Sequence, residues 1–527
     1  MAVNGVFNGA FTMAMAGTPA EKAEYYLSHA DKFKLGELWT EASHEKTRTL
    51  SELSRTDLPR AIGALKGVDL EAIESLASKS SQLNELRSAI NQTLTSGHKV
   101  FLCGCGATGR LSLKLEFLWR TTCKPEQRGQ VIGFMAGGDL ALIRSIESFE
   151  DHADFGERQL LELGFVDGDL MIGITEGGET SFVIGATEAA AQRSKNLPYF
   201  LYCNPSELLK EKVARSQRVI DNPNIHKICL AFGPMALSGS TRMQATTVQL
   251  LAVASCLLNA DKTVEEYIGS FAQLVLREDF TFLQHFIDRE VALYNQEKRV
   301  IYSTDEFGIT ILTDTTERSP TFSLAPFENF DDEKPIQSLC YFNMMGTAQV
   351  QQAWEKLLCR PPRALAGDQY WQIAGAKRIL GYDFSDLVFD KRRHSGLEQV
   401  LFKIYRAGSG EVRWQLQEIE HGLKCGQSSL FFQHLVLKLL LNIHSTLVMG
   451  RLNRYEGNWM TWVKPSNGKL IDRSIRYIQG LAAKRGLNFT YEKVAHQVFI
   501  EMETIQPNEP IVLKVLGALT RSQAANC

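Results

Sequence analysis

From Lys99 onward one pattern recurs along the chain. A short apolar run is followed by a turn rich in glycine, serine and threonine, then by apolar residues at helical spacing. The runs "KVFLCGCGATGR" (99–110), "DLMIGITEGGETSFVIGATEAAAQR" (169–193), "PYFLYCNPSELL" (198–209) and "KICLAFGPMALSGSTRMQATTVQLLAVASCLL" (227–258) all read this way. Repetition of strand, turn and helix predicts a doubly wound α/β domain with a parallel sheet. Upstream, residues 20–95 carry helical spacing, as in "DLPRAIGALKGVDLEAIESLA" (57–77). Downstream the pattern returns more faintly. "KRVIYSTDEFGITILTDTTE" (298–317) repeats strand, glycine turn and helix, and "GQSSLFFQHLVLKLLLNIHS" (426–445) echoes residues 239–258. The expected organisation is a helical segment over 1–70, a first α/β domain over 71–275, a degenerate second copy over 276–475 and a short helical segment over 476–527.

Composition narrows the function classes. At 527 residues the chain exceeds a single core. A net charge of −3 gives no field that would draw it to nucleic acid or anionic lipid. Ten cysteines without a CxxC pair read as buried thiols in a reducing, cytoplasmic setting and support neither a zinc site nor a disulfide framework. No metal or cofactor is expected. The amino-terminal "MAVNGVFNGAFTMAMAG" lacks the basic start of a secretion signal. The most apolar stretch, residues 431–450, contains Gln433, His434, Lys438 and His444, so it reads as a buried helix and not a membrane span.

The turns carry the candidate chemistry. In an open parallel sheet, ligands sit at the carboxyl ends of the strands, where helix starts present unpaired N–H groups suited to phosphate. Three such turns bear hydroxyls: Thr108; Thr175, Thr180 and Ser181; and Ser238, Ser240 and Thr241. Gly104, Gly106 and Gly109 would let backbone approach an anion. "GCGATG" lacks the Gly-Lys-Ser/Thr ending of a triphosphate-binding loop. The second-half turn "STDEFGIT" (303–310) instead places Asp305 and Glu306 where an anion would lie, which predicts one phosphate site per chain.

"GATGRLSL", "AGGDLALIRSIESFED" (136–151), "GITEGGETSFVIGA" (173–186) and "GPMALSGSTRMQATT" (233–247) resemble, in the same order, the sugar isomerase (SIS) domain family. The likeness is to the group that contains N-acetylmuramic acid 6-phosphate etherase and the glucokinase regulatory protein. Two SIS halves in one chain is the arrangement of the latter. The resemblance implies two tandem flavodoxin-like domains and a hexose phosphate, such as fructose 6-phosphate, or an amino-sugar phosphate as ligand. It implies Gly106, Ala107, Thr108 and Gly109 as the phosphate loop, with Thr175, Ser238, Ser240 and Thr241 as further contacts. It also implies Glu150 on the sugar and Lys469, in "SNGKL", reaching the ligand from the far part of the chain. Arg110 and Arg242 are expected to brace loops at least as much as to bind phosphate. A sugar kinase is an implied partner, although the residues left after Lys469 are few for a kinase-binding lid.

The same likeness leaves two activities beside a sensor. An etherase-type lyase would use Glu150 as base and needs a second carboxyl as acid. In the first half the acid position falls on Leu118. Glu116, two residues away, lies on another face of the helix. The matching motif, "TDTTERSPTF" (313–322), occurs in the second half with Glu317 at the acid position. Glu317 could reach a first-half ligand only if the halves exchange groups across their interface, and is otherwise expected on the helix surface. An aldose–ketose isomerase would want a histidine. Only His152 lies inside a motif, and a surface position is expected for it.

Overall fold

The computed structural model describes residues 17–146, 149–259, 261–365, 374–393, 396–408, 410–506 and 509–525. The apolar amino-terminal stretch and part of "SIESFED" therefore lie outside the described residues. Two five-stranded sheets organise the chain.

The first sheet comprises β1 (Val100–Gly104), β2 (Val131–Met135), β3 (Leu170–Ile174), β4 (Tyr199–Tyr202) and β5 (His226–Cys229), in the order β2-β1-β3-β4-β5. All pairings are parallel, with Val100 opposite both Val131 and Leu170. Strands β1 to β3 are buried on both faces, which is why they read as continuous apolar runs without alternation. The strand order reverses between β1 and β3, and the loops beyond their carboxyl ends make the crevice used by this class of sheet.

The second sheet comprises β6 (Arg299–Thr304), β7 (Cys340–Met344), β8 (Gln399–Arg406), β9 (Val412–Leu416) and β10 (Ile419–Leu423), in the order β10-β9-β8-β6-β7. The α/β class holds here, but the sheet is not wholly parallel. β6 pairs in parallel with β7 and β8, whereas β8, β9 and β10 form an antiparallel meander. The cause is visible in the residues. "QVLFKIYR" and "VRWQL" alternate apolar and polar, their burial alternates with them, and Gln417 at φ 55° closes the tight turn between β9 and β10.

The helix Leu430–Arg451 is long and apolar enough to cross a membrane, but it is buried inside the protein. It packs on Gln244–Leu257 of the first half and on Leu283–Asn295 and Gly308–Phe322 of the second. Lys438, Asn442 and Ser445 on it are matched inside the core. Asp314 accepts hydrogen bonds from Arg242 (3.0 Å), Asn442 (3.0 Å), Ser445 (2.8 Å) and Arg318 (2.9 Å). Lys438 donates to the carbonyls of Arg242 and Met243, both at 3.1 Å. A second buried tie joins Arg360 to Asp139 (2.6 Å) and Glu116 (3.2 Å), with Arg363 on Glu116 (2.6 Å).

Removing Asp314 leaves Arg242 and Arg318 buried without their shared carboxylate. Asp314→Ala should cost about 3–5 kcal/mol of stability in urea unfolding. A loss below about 1 kcal/mol would show that this cluster does not hold the halves together.

Candidate functional site

The turn after β1 is built for close approach. A side chain at Gly104 would strike the Thr108 backbone, so glycine there lets the helix Gly106–Thr122 start tightly against the strand. Gly106 takes φ 54°, a left-handed conformation that favours glycine. Thr108 closes the turn from within: its hydroxyl donates to the Cys105 carbonyl at 2.9 Å and accepts from the Cys105 N–H at 3.1 Å. The N–H groups of Gly106 and Ala107, in the first turn, have no acceptor within the helix.

Beyond this turn lies a cavity of about 770 Å³. It is lined by Cys105, Gly106, Ala107 and Arg110 after β1, by Met135 and Ala136 after β2, and by Glu176, Gly177 and Glu179 to Ser181 after β3. The "GSTR" turn adds Gly239 to Arg242, and Glu150, Asp151 and His152 form one wall. Lys469 and Arg473, from the helix Gly468–Lys484, close the far side. Glu317 also lines it. The expectation of an exposed Glu317 is overturned: the residue is 5% exposed and faces the first-half turn. The reason is the packing of Gly308–Phe322 against Gly106–Thr122, which sets Glu317 beside Arg110.

Sequence-expected residues divide into two groups. Gly106, Ala107, Glu150, Ser240, Thr241 and Lys469 line the cavity. The buried Ser240 hydroxyl has no hydrogen-bond partner among the described residues. Thr108, Gly109, Thr175 and Ser238 do not line it; they shape it. Gly109 admits Met135, which a side chain there would meet at 2.5 Å. Thr175 lies 3.1 Å from the Thr180 hydroxyl, and Ser238 donates to the Glu41 carbonyl at 2.7 Å. Arg110 and Arg242 do both jobs, lining the cavity while reaching the second half at Thr316 (3.4 Å) and Asp314. Glu116 is committed to Arg120, Arg360 and Arg363 and takes no part. His152 sits at the rim with its side chain 45% exposed.

Lys469, at the second position of its helix, finds an anionic neighbour in Glu179 at 2.5 Å. Arg215 pairs with the same carboxylate. Burial alone would raise Glu179, but Lys469 and Arg215 hold it down at about 2. Glu41 is likewise held at about 2, against its burial, by Arg473 and Arg476. Glu176 behaves oppositely. Burial lifts it to about 7, with Glu317 adding to the rise and Lys469 and Thr241 opposing it. Burial also raises Glu317, against Arg110, Arg242 and Lys438. Glu176 and Glu179 were missed in the sequence; the "EGGE" following a strand was the available signal.

Residues 82–191 match the family described as the glucokinase regulatory protein N-terminal SIS domain. The N-acetylmuramic acid 6-phosphate etherase of Nostoc sp. is 33% identical over 228 residues, 42% of this chain and 68% of that enzyme. The chain belongs to this SIS-domain family. The etherase of Serratia proteamaculans is 31% identical over 226 residues, with the same coverage, 42% of this SIS protein and 68% of that enzyme. Among solved structures, the tagatose-6-phosphate ketose/aldose isomerase from Escherichia coli aligns over 75% of this SIS protein and 94% of its own chain. Its TM-score is 0.39 at 11% identity.

The carboxyls of the site give opposite pH signatures. Glu179 stabilises the fold above pH 4.5, and that contribution disappears as pH falls through about 2. Glu176, raised from 4.5 to about 7, favours the fold below pH 4.5 and loses that advantage as pH rises through about 7. Glu176→Gln should therefore leave stability unchanged at pH 4 and raise it on the order of 3 kcal/mol at pH 8. Equal effects at both pH values in calorimetry would refute the assignment.

Proposed function

We propose that this SIS protein binds a hexose or amino-sugar phosphate in the cavity between its halves, with the phosphate on the Gly106–Ala107 and Ser240–Thr241 turns and the sugar toward Glu150 and Glu317. The observation that carries this reading is the unpartnered Ser240 hydroxyl, buried in a cavity that also receives the start of the Gly106–Thr122 helix. Helix starts and free hydroxyls are donors for an anion, and both converge there. Lys469 adds charge from the opposite wall.

The convergence of Glu150 and Glu317 on one cavity favours a second reading, an etherase-type lyase acting on an amino-sugar 6-phosphate. Glu150 would take the proton from the carbon beside the open-chain aldehyde. Glu317 would give its proton to the ether oxygen as the carbon–oxygen bond breaks, releasing lactate and leaving an unsaturated sugar phosphate. Burial keeps Glu317 protonated further toward neutral pH than an ordinary glutamate, as a general acid requires.

One site per chain follows from the second half. Glu306 is paired with Arg406 at 2.7 Å, and Arg406 lies over the Phe307 ring. Thr310 is taken by His434 at 2.8 Å. The Asp305 Oδ1, buried and without a hydrogen-bond partner among the described residues, puts a carboxylate where an anion would have to lie.

Hexose phosphates should raise the melting temperature and unphosphorylated sugars should not, with about 2.7 kcal/mol gained at a hundred times Kd. Calorimetric titration should give one site per chain; two would overturn the asymmetry. With N-acetylmuramic acid 6-phosphate, D-lactate release should fall by about 10²–10⁴-fold in Glu317→Gln while binding persists. Stabilisation without lactate in the wild type would select the sensor reading.

A further inference from the structure

Behind the ligand cavity lies a small buried chamber of about 10 Å³. Glu317 and Ala107 border both spaces. The chamber's other polar walls are Lys114, Thr310, Thr313, Asp314, Lys438, Asn442 and Thr246, whose hydroxyl donates to the Arg242 carbonyl at 2.7 Å.

Most of these groups are already committed. Lys438 donates to two carbonyls, to Thr247 at 2.8 Å and to Asn442 at 2.9 Å. Asp314 is surrounded by four donors. Thr310 bonds His434, and Thr313 donates to the Ile309 carbonyl at 2.6 Å. Two groups stand apart. Lys114 is 1% exposed, and among the described residues it makes no hydrogen bond or ion pair. Glu317 makes none either, and the two do not pair with each other, although the Glu317 charge is felt at Lys114.

A buried ammonium with three donors requires acceptors. A space of this size, flanked by a donor and an acceptor that do not meet, has the dimensions of one bound water. We propose that a single water in this chamber bridges the Lys114 ammonium to the Glu317 carboxyl, making Lys114 a positioning residue that aims the Glu317 proton at the ligand cavity. The ammonium donates to the water, and the water donates to one Glu317 oxygen. The other oxygen, which carries the proton, is left facing the ligand. Lys114 then stabilises the carboxylate that remains after the proton is given up.

This inference rests on the acid role of Glu317 only for its catalytic consequence. The groups facing the pair come from every neighbouring element. Arg110 shares the helix of Lys114, and Asp314 shares that of Glu317. Arg242, Glu176, Lys438 and His434 come from the elements packed against them. Burial, followed by the Lys438 charge, lowers Lys114 to about 7, so the bridge is strongest below neutral pH.

The test has two arms. A high-resolution crystal structure of the wild-type protein should show one water within hydrogen-bond distance of both Lys114 Nζ and a Glu317 oxygen. A dry chamber, or Lys114 bonded directly to protein, would overturn the proposal. Infrared difference titration of the protonated carboxyl band, assigned to Glu317 by its loss in Glu317→Gln, should then be repeated in Lys114→Met. Loss of the cation should move the Glu317 midpoint up by about one pH unit or more, while the melting temperature holds or rises. An unmoved midpoint would overturn the proposal even with lactate release intact. A shifted midpoint without lactate release would keep the proposal and discard the lyase reading. Should Lys114→Met fail to fold, the wild-type crystal structure decides alone.

Discussion

Asp314 is the point on which the two halves depend. It sits midway along the second half's counterpart helix, yet one of its partners, Arg242, belongs to the first half's "GSTR" turn. Arg242 also reaches Ser445 and Thr446 on the central helix. The pairing is buried on both sides, so the desolvation of two charges is offset only because several hydrogen bonds converge on each. Such a contact has little tolerance for displacement. It fixes the turn that presents Ser240 and Thr241 relative to the helix that presents Glu317. The geometry of the cavity is therefore a consequence of the interface and not of either half alone.

This dependence gives the internal duplication its sense. Each half contains a strand, a turn and a helix in the same order, but the two turns differ in what they offer. The first keeps the glycine turn and has Leu118, fully buried, where an acid would stand. The second keeps the glutamate and fills its own turn with Asp305, Glu306 and Phe307. Helix Gly308–Phe322 packs on helix Gly106–Thr122, so Glu317 of one half faces the cavity beside the turn of the other. A symmetric pair would hold two equivalent cavities. Here Arg406, His434 and Phe307 occupy the space around the second turn.

How much of this was legible in the sequence depended on whether a signal was local. The strand–turn–helix rhythm is local, and it located the first sheet and the turns that line the cavity. Burial of residues 431–450 followed from polar residues that a membrane would exclude. What escaped was long-range. Nothing near Glu317 states which helix it packs against, and the residue looked like a surface position until Arg110 was placed beside it. Thr108, Thr175 and Ser238 pose the converse ambiguity. A hydroxyl in a turn serves equally as an external donor or as an internal clamp, and the sequence does not separate the two; Ser238 closes on Glu41, almost two hundred residues away. The antiparallel meander was legible but unread, since "VLFKIYR" alternates with a period of two.

The cavity's carboxyls follow from the same division between paired and unpaired charge. Glu41 and Glu179 are buried, and each has two cations within bonding reach. They stay ionised and so act as anchors, orienting Arg473 and Lys469 toward the ligand space. Glu317 and Glu176 are buried without such partners. Arg110 and Arg242 approach Glu317 but spend their bonds on Thr316, Asp314 and the central helix. Their attraction is felt at a distance and does not overcome desolvation, which is why Glu317 remains raised. Tying the halves together with arginine thus has a chemical by-product. Because Arg242 is directed to Asp314 and the central helix and Arg110 to Thr316, neither bonds Glu317, whose carboxyl keeps its proton toward neutral pH; the same interface that builds the cavity thus sets the protonation state of its carboxyl.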